Sequence, residues 1–308
     1  MSFDARRFLS KWGTYALFAV FAAWCLHAFQ HDLAQIDLST LQHAGPTIAV
    51  VGGLSLFNYF LRVVRWRIYL AKLGHRLPWG FTALTFMSGF AFTLSPGKLG
   101  EMVRARYYLP RGISASSLTG AFFVERLLDL LAMIILASVV LAELQAYRYF
   151  FWVAVALVGG LLVMLAVVPW QRVRVPVGQG GINMLAHARQ FLAPGVLVSG
   201  LLIGLVAWLA EAVGLKLLAD LDPTVSIQLG SAIGIYALAI IVGALSFLPG
   251  GLGSTEAVMT ALLVAHGMSV PQAILTTLIC RLLTLWLAVV IGWLCVWRLR
   301  HHPTGLPV

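Results

Sequence analysis

Acidic residues are scarce in this chain: 11 Asp and Glu stand among 308 residues, against 21 Lys and Arg, and charged side chains make up 10% of the whole. A water-facing domain carries about 25%. A mean hydropathy of +0.92 excludes a soluble fold and makes the bilayer the solvent for most side chains. So few carboxylates also exclude an aspartate-rich, metal-dependent sugar transferase. Cysteine is almost missing. Cys25, Cys280 and Cys295 all lie in apolar stretches, form no CxxC pair and read as small buried hydrophobes. The eight histidines compose no metal signature; His27 and His31 have i, i+4 spacing at a helix exit but no third ligand. There is no P-loop, and the glycines at 250–253 are followed by no lysine of the Walker type. A nucleophile elbow is missing as well. No cofactor, no metal and no catalytic residue are therefore expected.

What the chain does have is long apolar runs, each near the roughly 20 residues a crossing helix needs. They are expected at about 13–29, 46–70, 118–141, 149–169, 196–219 and 272–297. Two helical hairpins are expected between them. One has arms near 79–94 and 99–109, broken at Ser95-Pro96-Gly97. The other has arms near 226–247 and 252–266, broken at Pro249-Gly250-Gly251. The stretch near 170–195 reads as a basic loop. The arm at 99–109 is too short and too charged to span, and irregular backbone at membrane depth needs protein or water around it. Both hairpins are thus expected to be re-entrant. The first run is expected to stay as a helix. It is followed by no small-x-small cleavage site, and Trp24 before Cys25 spoils a lipoprotein site.

The net charge of +10 follows the same plan and calls for no nucleic acid. With a cytoplasmic N-terminus, one face collects Arg6, Arg7, Lys11, Lys72, Arg76, Arg106, Arg111, Arg172, Arg174, Arg189, Arg298 and Arg300. The opposite face keeps Arg148 and the acidic Asp32, Asp37, Glu143, Asp220 and Asp222. That asymmetry predicts both termini inside. The expected architecture is an all-α polytopic membrane protein forming one integral membrane domain over 1–308. It has about six transmembrane helices plus two re-entrant hairpins.

The two breaks resemble each other: Pro96-Gly97-Lys98-Leu99-Gly100-Glu101 and Pro249-Gly250-Gly251-Leu252-Gly253, with Glu256 shortly after. An arginine inside an apolar helix follows each, Arg126 and Arg281, and a basic residue precedes each, Arg62 and Lys216. Three crossings lie between the breaks, so two copies at approximately 46–141 and 196–298 would face opposite ways. That is a recurrent transporter architecture.

Asn58, Arg62, Arg65 and Tyr69 share one helix face by their spacing. Arg65 and the neighbouring Arg67 read equally as interfacial arginines beside aromatic anchors. Arg62 lies deeper and is expected to face the interior or a bound phosphate. Glu125, Arg126 and Asp129 sit within an apolar helix, where charge is costly and marks either a pathway or a static ion pair. Lys98, Glu101 and Arg104 straddle the first break. A glycine-rich turn into a helix N-terminus offers free N–H groups to an oxyanion, while Glu101 and Glu256 read equally as helix-end carboxylates. Ser254 and Thr255 offer capping hydroxyls beside Glu256. Glu211 and Arg281 are solitary in sequence and are expected to pair across the repeat. The expected contact set for a lipid is therefore Asn58, Arg62, Arg65, Lys98, Glu101, Arg104, Glu125, Arg126, Asp129, Glu211, Glu256 and Arg281.

Arg62-x-x-Arg65-Trp66, Pro96-x-Lys98-x-Gly100-Glu101, Glu125-Arg126-x-x-Asp129, Leu248-Pro249-Gly250-Gly251-x-Gly253-x-x-Glu256 and Arg281 occur in this order. Together they resemble the lysylphosphatidylglycerol synthase transmembrane region, or flippase-like domain family, over essentially the whole chain. The resemblance implies movement between leaflets of an anionic phospholipid or a polyprenyl-phosphate-linked lipid in a bacterial inner membrane. The partner it implies is a membrane lipid with a phosphate head group. A homo-oligomer or a lipid-modifying enzyme partner is a further expectation. The chain ends at Val308, without the aminoacyltransferase domain of bifunctional members, so lysyl-lipid synthesis is not expected of it. The alternative expectation is a membrane-embedded lipid or glycan transferase, or a non-transporting partner of one, with the carboxylates as general acid or base.

Overall fold

A computed structural model describes residues 44–143, 148–170 and 178–301, which are helical with short turns and contain no strand. The expected first helix, Cys25, His27 and His31 lie outside the described residues, as do Arg172 and Arg174. Eleven helices follow in order among those described: α1 Gly45–Lys72, α2 Trp79–Ser88, α3 Ala105–Tyr108, α4 Ala115–Glu143, α5 Arg148–Val167, α6 Gly178–Ala188, α7 Pro194–Ala219, α8 Leu229–Leu245, α9 Ser254–Ala265, α10 Val270–Arg281 and α11 Leu287–His301. A single π turn, Leu282–Trp286, joins α10 to α11, making one continuous rod over Val270–His301. This rod, α1 and α7 are each long and apolar enough to cross a membrane. Proline in the first turn starts α1, α7 and α10, where its missing N–H costs nothing. Left-handed Gly74 and Gly267 follow the ends of α1 and α9.

Within the described residues the expected spans agree with these elements to within a few residues. The segment near 170–195 is the exception. It holds α6 and a 3-10 turn, Arg189–Leu192, instead of a basic loop. Its charged residues are three arginines, but Ile182, Leu185, Ala186, Ala188, Phe191 and Leu192 pack into the apolar clusters beneath. Gly120 of α4 admits α6 closely; a Cβ there would lie 2.9 Å from Ala188 N and Met184 O. Lys72 and Arg189, expected on one face, line a common groove with Gln190.

The second arm of the first hairpin is also irregular. It is a 3-10 stretch, Pro96–Arg104, in which Gly97 and Lys98 take left-handed backbone angles before α3 completes one turn. The second break, Pro249–Gly251, repeats that conformation with Gly250 and Gly251. The two breaks touch each other; a Cβ on Gly250 would meet Leu94 Cδ2 at 2.6 Å.

Two packing relations place everything else. First, α1 and α7 run antiparallel along a seam of complementary residues. Val51, Ser55, Asn58, Arg62, Arg65 and Tyr69 line one side; Gly200, Gly204, Ala207, Glu211 and Gly214 line the other. Contacts along it fix the register, with Tyr69 at Gly200, Arg65 at Gly204, Asn58 at Ala207 and Val51 at Gly214. Both series alternate three- and four-residue steps, the period of one helix face. Second, each hairpin packs on a helix that follows the other hairpin: α2 and its following turn on α11, and α8 on α4. At the first contact Gly292 lies directly on the backbone of Ala91.

A Cβ on Gly292 would lie 2.1 Å from Ala91 N and 2.7 Å from Phe90 C, so it cannot be absorbed by a side-chain movement. Gly292→Ala is expected to lower stability by about 1–3 kcal/mol or block folding. Gly53→Ala meets nothing within 4 Å and should leave stability unchanged or slightly raised. Thermal unfolding in detergent checks both.

Candidate functional site

The charged side chains of α1, the first hairpin and α4 converge on Glu125. Its Oε1 lies 3.0 Å from Arg126 Nη2, 3.4 Å from Arg65 Nη2 and 3.8 Å from Arg62 Nη2, and its Oε2 accepts from Arg104 Nη2 at 2.6 Å. Asp129, one turn on, pairs with Arg65 at 2.8 Å and Arg126 at 3.1 Å. Trp208 Nε1 of α7 donates to the same Asp129 Oδ1 at 3.2 Å. Glu101 enters from the 3-10 stretch, held by Thr93 Oγ1 at 2.9 Å, and faces Arg62 at 3.8 Å and Arg126 at 3.9 Å. Arg65, Glu101, Arg104 and Glu125 are at most 1% exposed.

Local sequence explains how such charge is tolerated. Gly204 leaves room for Arg65; a Cβ there would sit 2.9 Å from its Nη1. Gly200 does the same for Tyr69. The guanidinium of Arg104 stacks at 3.8 Å from the Trp66 ring and 4.6 Å from Phe86. That of Arg62 lies between Phe86, Phe90 and Trp208 at 5.2–5.9 Å. Aromatic faces stabilise desolvated cations without neutralising them.

Cations exceed anions here. Arg62, Arg65, Arg104 and Arg126 share Glu101, Glu125 and Asp129, and Lys98 Nζ sits 5.6 Å above the Trp208 ring beside them. Several buried guanidinium nitrogens donate to nothing, among them Arg62 Nε and Nη2, Arg65 Nε and Nη1, and Arg104 Nε and Nη1. Buried polar groups are normally satisfied. Unpartnered arginine donors beside surplus positive charge are what an oxyanion needs, since guanidinium matches phosphate oxygens in charge and geometry.

The second break is built differently. Arg281 Nε donates to Glu256 Oε1 at 2.6 Å and its Nη2 to Gly250 O at 2.8 Å, while Gly253 N donates to Glu256 Oε2 at 2.6 Å. Glu256 is thus at once the helix-end carboxylate of α9 and the partner of Arg281. Ser254 turns to Ser246 Oγ and Gly251 O instead of capping. Arg281 and Glu211 do not pair as expected. Glu211 accepts from Tyr236 of α8, and Asn58 Nδ2 donates to Ala207 O at 2.8 Å. Lys216 has its own partner at the end of α7, Asp220, and takes no part in the polar core.

Two expectations about the first site also change. Arg65 is wholly buried and ion-paired, so the interfacial alternative falls away for it. Arg67 keeps that character, donating to Leu77 O at 2.7 Å and stacking 4.4 Å from Trp79. The N–H groups of the first turn are used within it, Lys98 N on Ser95 O and Gly100 N on Ser95 Oγ. Any anion is therefore met by side chains. Thr93, Trp208 and Tyr236 were missed because hydroxyls and indoles in apolar runs look like ordinary helix residues. Only the packing of distant elements brings them in.

A polar core of interlocked arginines and carboxylates, wrapped in apolar helices, defines a polytopic all-α membrane protein. The chain belongs to the Lysylphosphatidylglycerol synthase TM region family, whose model matches residues 12–292. No curated protein matches it.

Removing one partner of a buried network strands the others. Glu125→Gln is expected to cost about 3–5 kcal/mol. Combined with Arg104→Gln it should cost less than the sum of the single changes. Denaturant unfolding of the purified variants checks the coupling.

Proposed function

We propose that this protein is a lipid flippase. It moves a lipid with a phosphate-bearing head group, an anionic phospholipid or a polyprenyl-phosphate-linked lipid, between leaflets of a bacterial inner membrane. The observation that carries this reading is the cationic excess where α1, the first hairpin and α4 converge, with unpartnered guanidinium donors. Arg62, Arg104 and Lys98 would take the phosphate, while Glu101, Glu125 and Asp129 balance the cations when no lipid is bound. The antiparallel α1–α7 seam and the exchanged hairpins support two oppositely oriented halves with re-entrant breaks, both termini facing the cytoplasm. Rearrangement of one half against the other then exposes the site alternately. No nucleotide motif accompanies it, so uphill movement would draw on an ion gradient or on consumption of the lipid.

Lys98 supports this reading from its backbone. It holds φ 57°, a left-handed conformation that costs a non-glycine residue about 1–2 kcal/mol. The second break has Gly251 at the corresponding place, without that cost. A strained side chain retained where glycine would be easier is a mark of function.

Labelled phospholipid and polyprenyl-phosphate lipids in liposomes test the proposal. The wild type should move at least one of them between leaflets, and Arg62→Ala should abolish that movement. Lys98→Gly should abolish it too while raising stability by about 1 kcal/mol, which separates function from folding. A folded wild-type protein that binds these lipids and moves none would overturn the proposal in favour of a transferase or its partner.

A further inference from the structure

The α1–α7 seam carries one acid that the ion-pair network leaves out. Glu101, Glu125, Asp129 and Glu256 are each ion-paired with arginine. Asp222, in the turn after α7, is taken up by Thr224. Glu211 is 5% exposed, and its hydrogen-bond partner is the neutral hydroxyl of Tyr236. Among the described residues no cation pairs with it.

The seam positions directly opposite it on α1 are polar and uncharged, and the charged Arg62 follows further along the same face. Glu211 lies on the seam between Ala207, which meets Asn58, and Gly214, which meets Val51. That register puts Ser55 opposite Glu211 and Asn58 a turn away. Ser55 Oγ and Asn58 Oδ1 are both buried without a hydrogen-bond partner. A metal ion is a poor occupant, because the charged groups nearest Glu211 are cations. Arg62 of α1 and Lys98 of the first break both lie against the Trp208 ring, one turn before Glu211, and Tyr236 of α8 donates to its carboxylate; Tyr59 of α1 and Cys280 and Arg281 of α10 are the other titratable groups within electrostatic reach. Asp129 of α4 reaches α7 at Trp208, one turn before Glu211. A proton is the one cation that such a site accepts without further ligands. A neutral carboxyl also brings a donor to a crossing that has acceptor oxygens to spare.

We infer that Glu211 is the coupling-proton site of this protein: it binds a proton when an anionic head group enters between Arg62 and Lys98, and releases it when the head group leaves. The inference rests on the flippase reading above. Its physical basis is that Arg62 and Lys98 lie within electrostatic reach of both the incoming phosphate and the Glu211 carboxylate. An anion there competes for their field and repels the ionised acid, so phosphate and proton enter together. The coupling is reciprocal. Each added negative charge favours the protonated acid, and each pH unit downward favours the anion. Nothing else is made or broken; the proton moves from solvent to a Glu211 oxygen and back. Lipid and proton then travel in the same direction, and a proton gradient drives the lipid.

The probe is dihexanoylphosphatidylglycerol, whose phosphodiester keeps one charge across neutral pH. Calorimetric titration in buffers of different ionisation enthalpy counts the protons taken up with it. The wild type should take up about one, with affinity falling about tenfold per pH unit above the midpoint. Glu211→Gln, a permanent stand-in for the neutral acid, should bind with no proton uptake and a flat pH profile. In vesicles containing the labelled lipid it should still move lipid but no longer answer to an imposed pH gradient. Tyr236→Phe keeps the carboxyl while removing its hydrogen bond, and should displace the midpoint while keeping the slope. A role confined to packing would leave that midpoint unmoved. Binding by the wild type without proton uptake overturns the coupling while the lipid-handling reading stands, and so does uptake that persists in Glu211→Gln. A wild type that neither binds the probe nor moves any lipid overturns both.

Discussion

The polar core of this molecule is arranged around the contact of one carboxylate, Glu125, with four guanidinium groups. The arginines come from α1, from the irregular arm of the first hairpin and from α4 itself, so the contact joins three separately inserted pieces of chain. In low dielectric such charges are tolerable only as a network, because each loses its hydration and must find it again in a partner. The network is not neutral. Arginines outnumber carboxylates, aromatic rings soften the surplus without cancelling it, and several guanidinium donors are left without a partner.

The surplus depends on the seam. Helices in lipid gain little from burying apolar surface against each other and associate through close packing, which favours small residues. The glycines and alanine of α7 let α1 bring Arg65 and Tyr69 to van der Waals distance. With larger residues on α7 the arginine row would be pushed outward toward lipid. The same stripe carries Glu211, an acid among residues chosen for smallness, and that contrast makes it conspicuous once the register is known.

Much of this was legible beforehand. Apolar runs of the right length mark α1, α4, α5, α7 and the final rod, and proline-glycine pairs mark both breaks, because these signals are local. The charged residues were legible as a set for a similar reason, since a bilayer makes every intramembrane charge exceptional. Their partners were not. Arg281 chooses Glu256 over Glu211, and Arg126 divides itself among three acids, choices that depend on which elements touch. The helix α6 was hidden by the arginines around it, whose charge outweighed a short apolar stripe. Trp208 could not be distinguished from any tryptophan in an apolar helix until Asp129 was found beneath it.

The two hairpins lodge against each other's closing helices, α2 on α11 and α8 on α4, and this bears on how the protein is made. Chain emerges from the ribosome in order, so the first hairpin is complete long before α11 exists. Until that helix enters the membrane, the Gly292 groove that receives Ala91 is missing, and α2 rests only on α1 and on its own hairpin. The first hairpin therefore stays without its Gly292 seat until α11 is in place, and a chain cut short of α11 is expected to leave that hairpin loose over the arginine cluster.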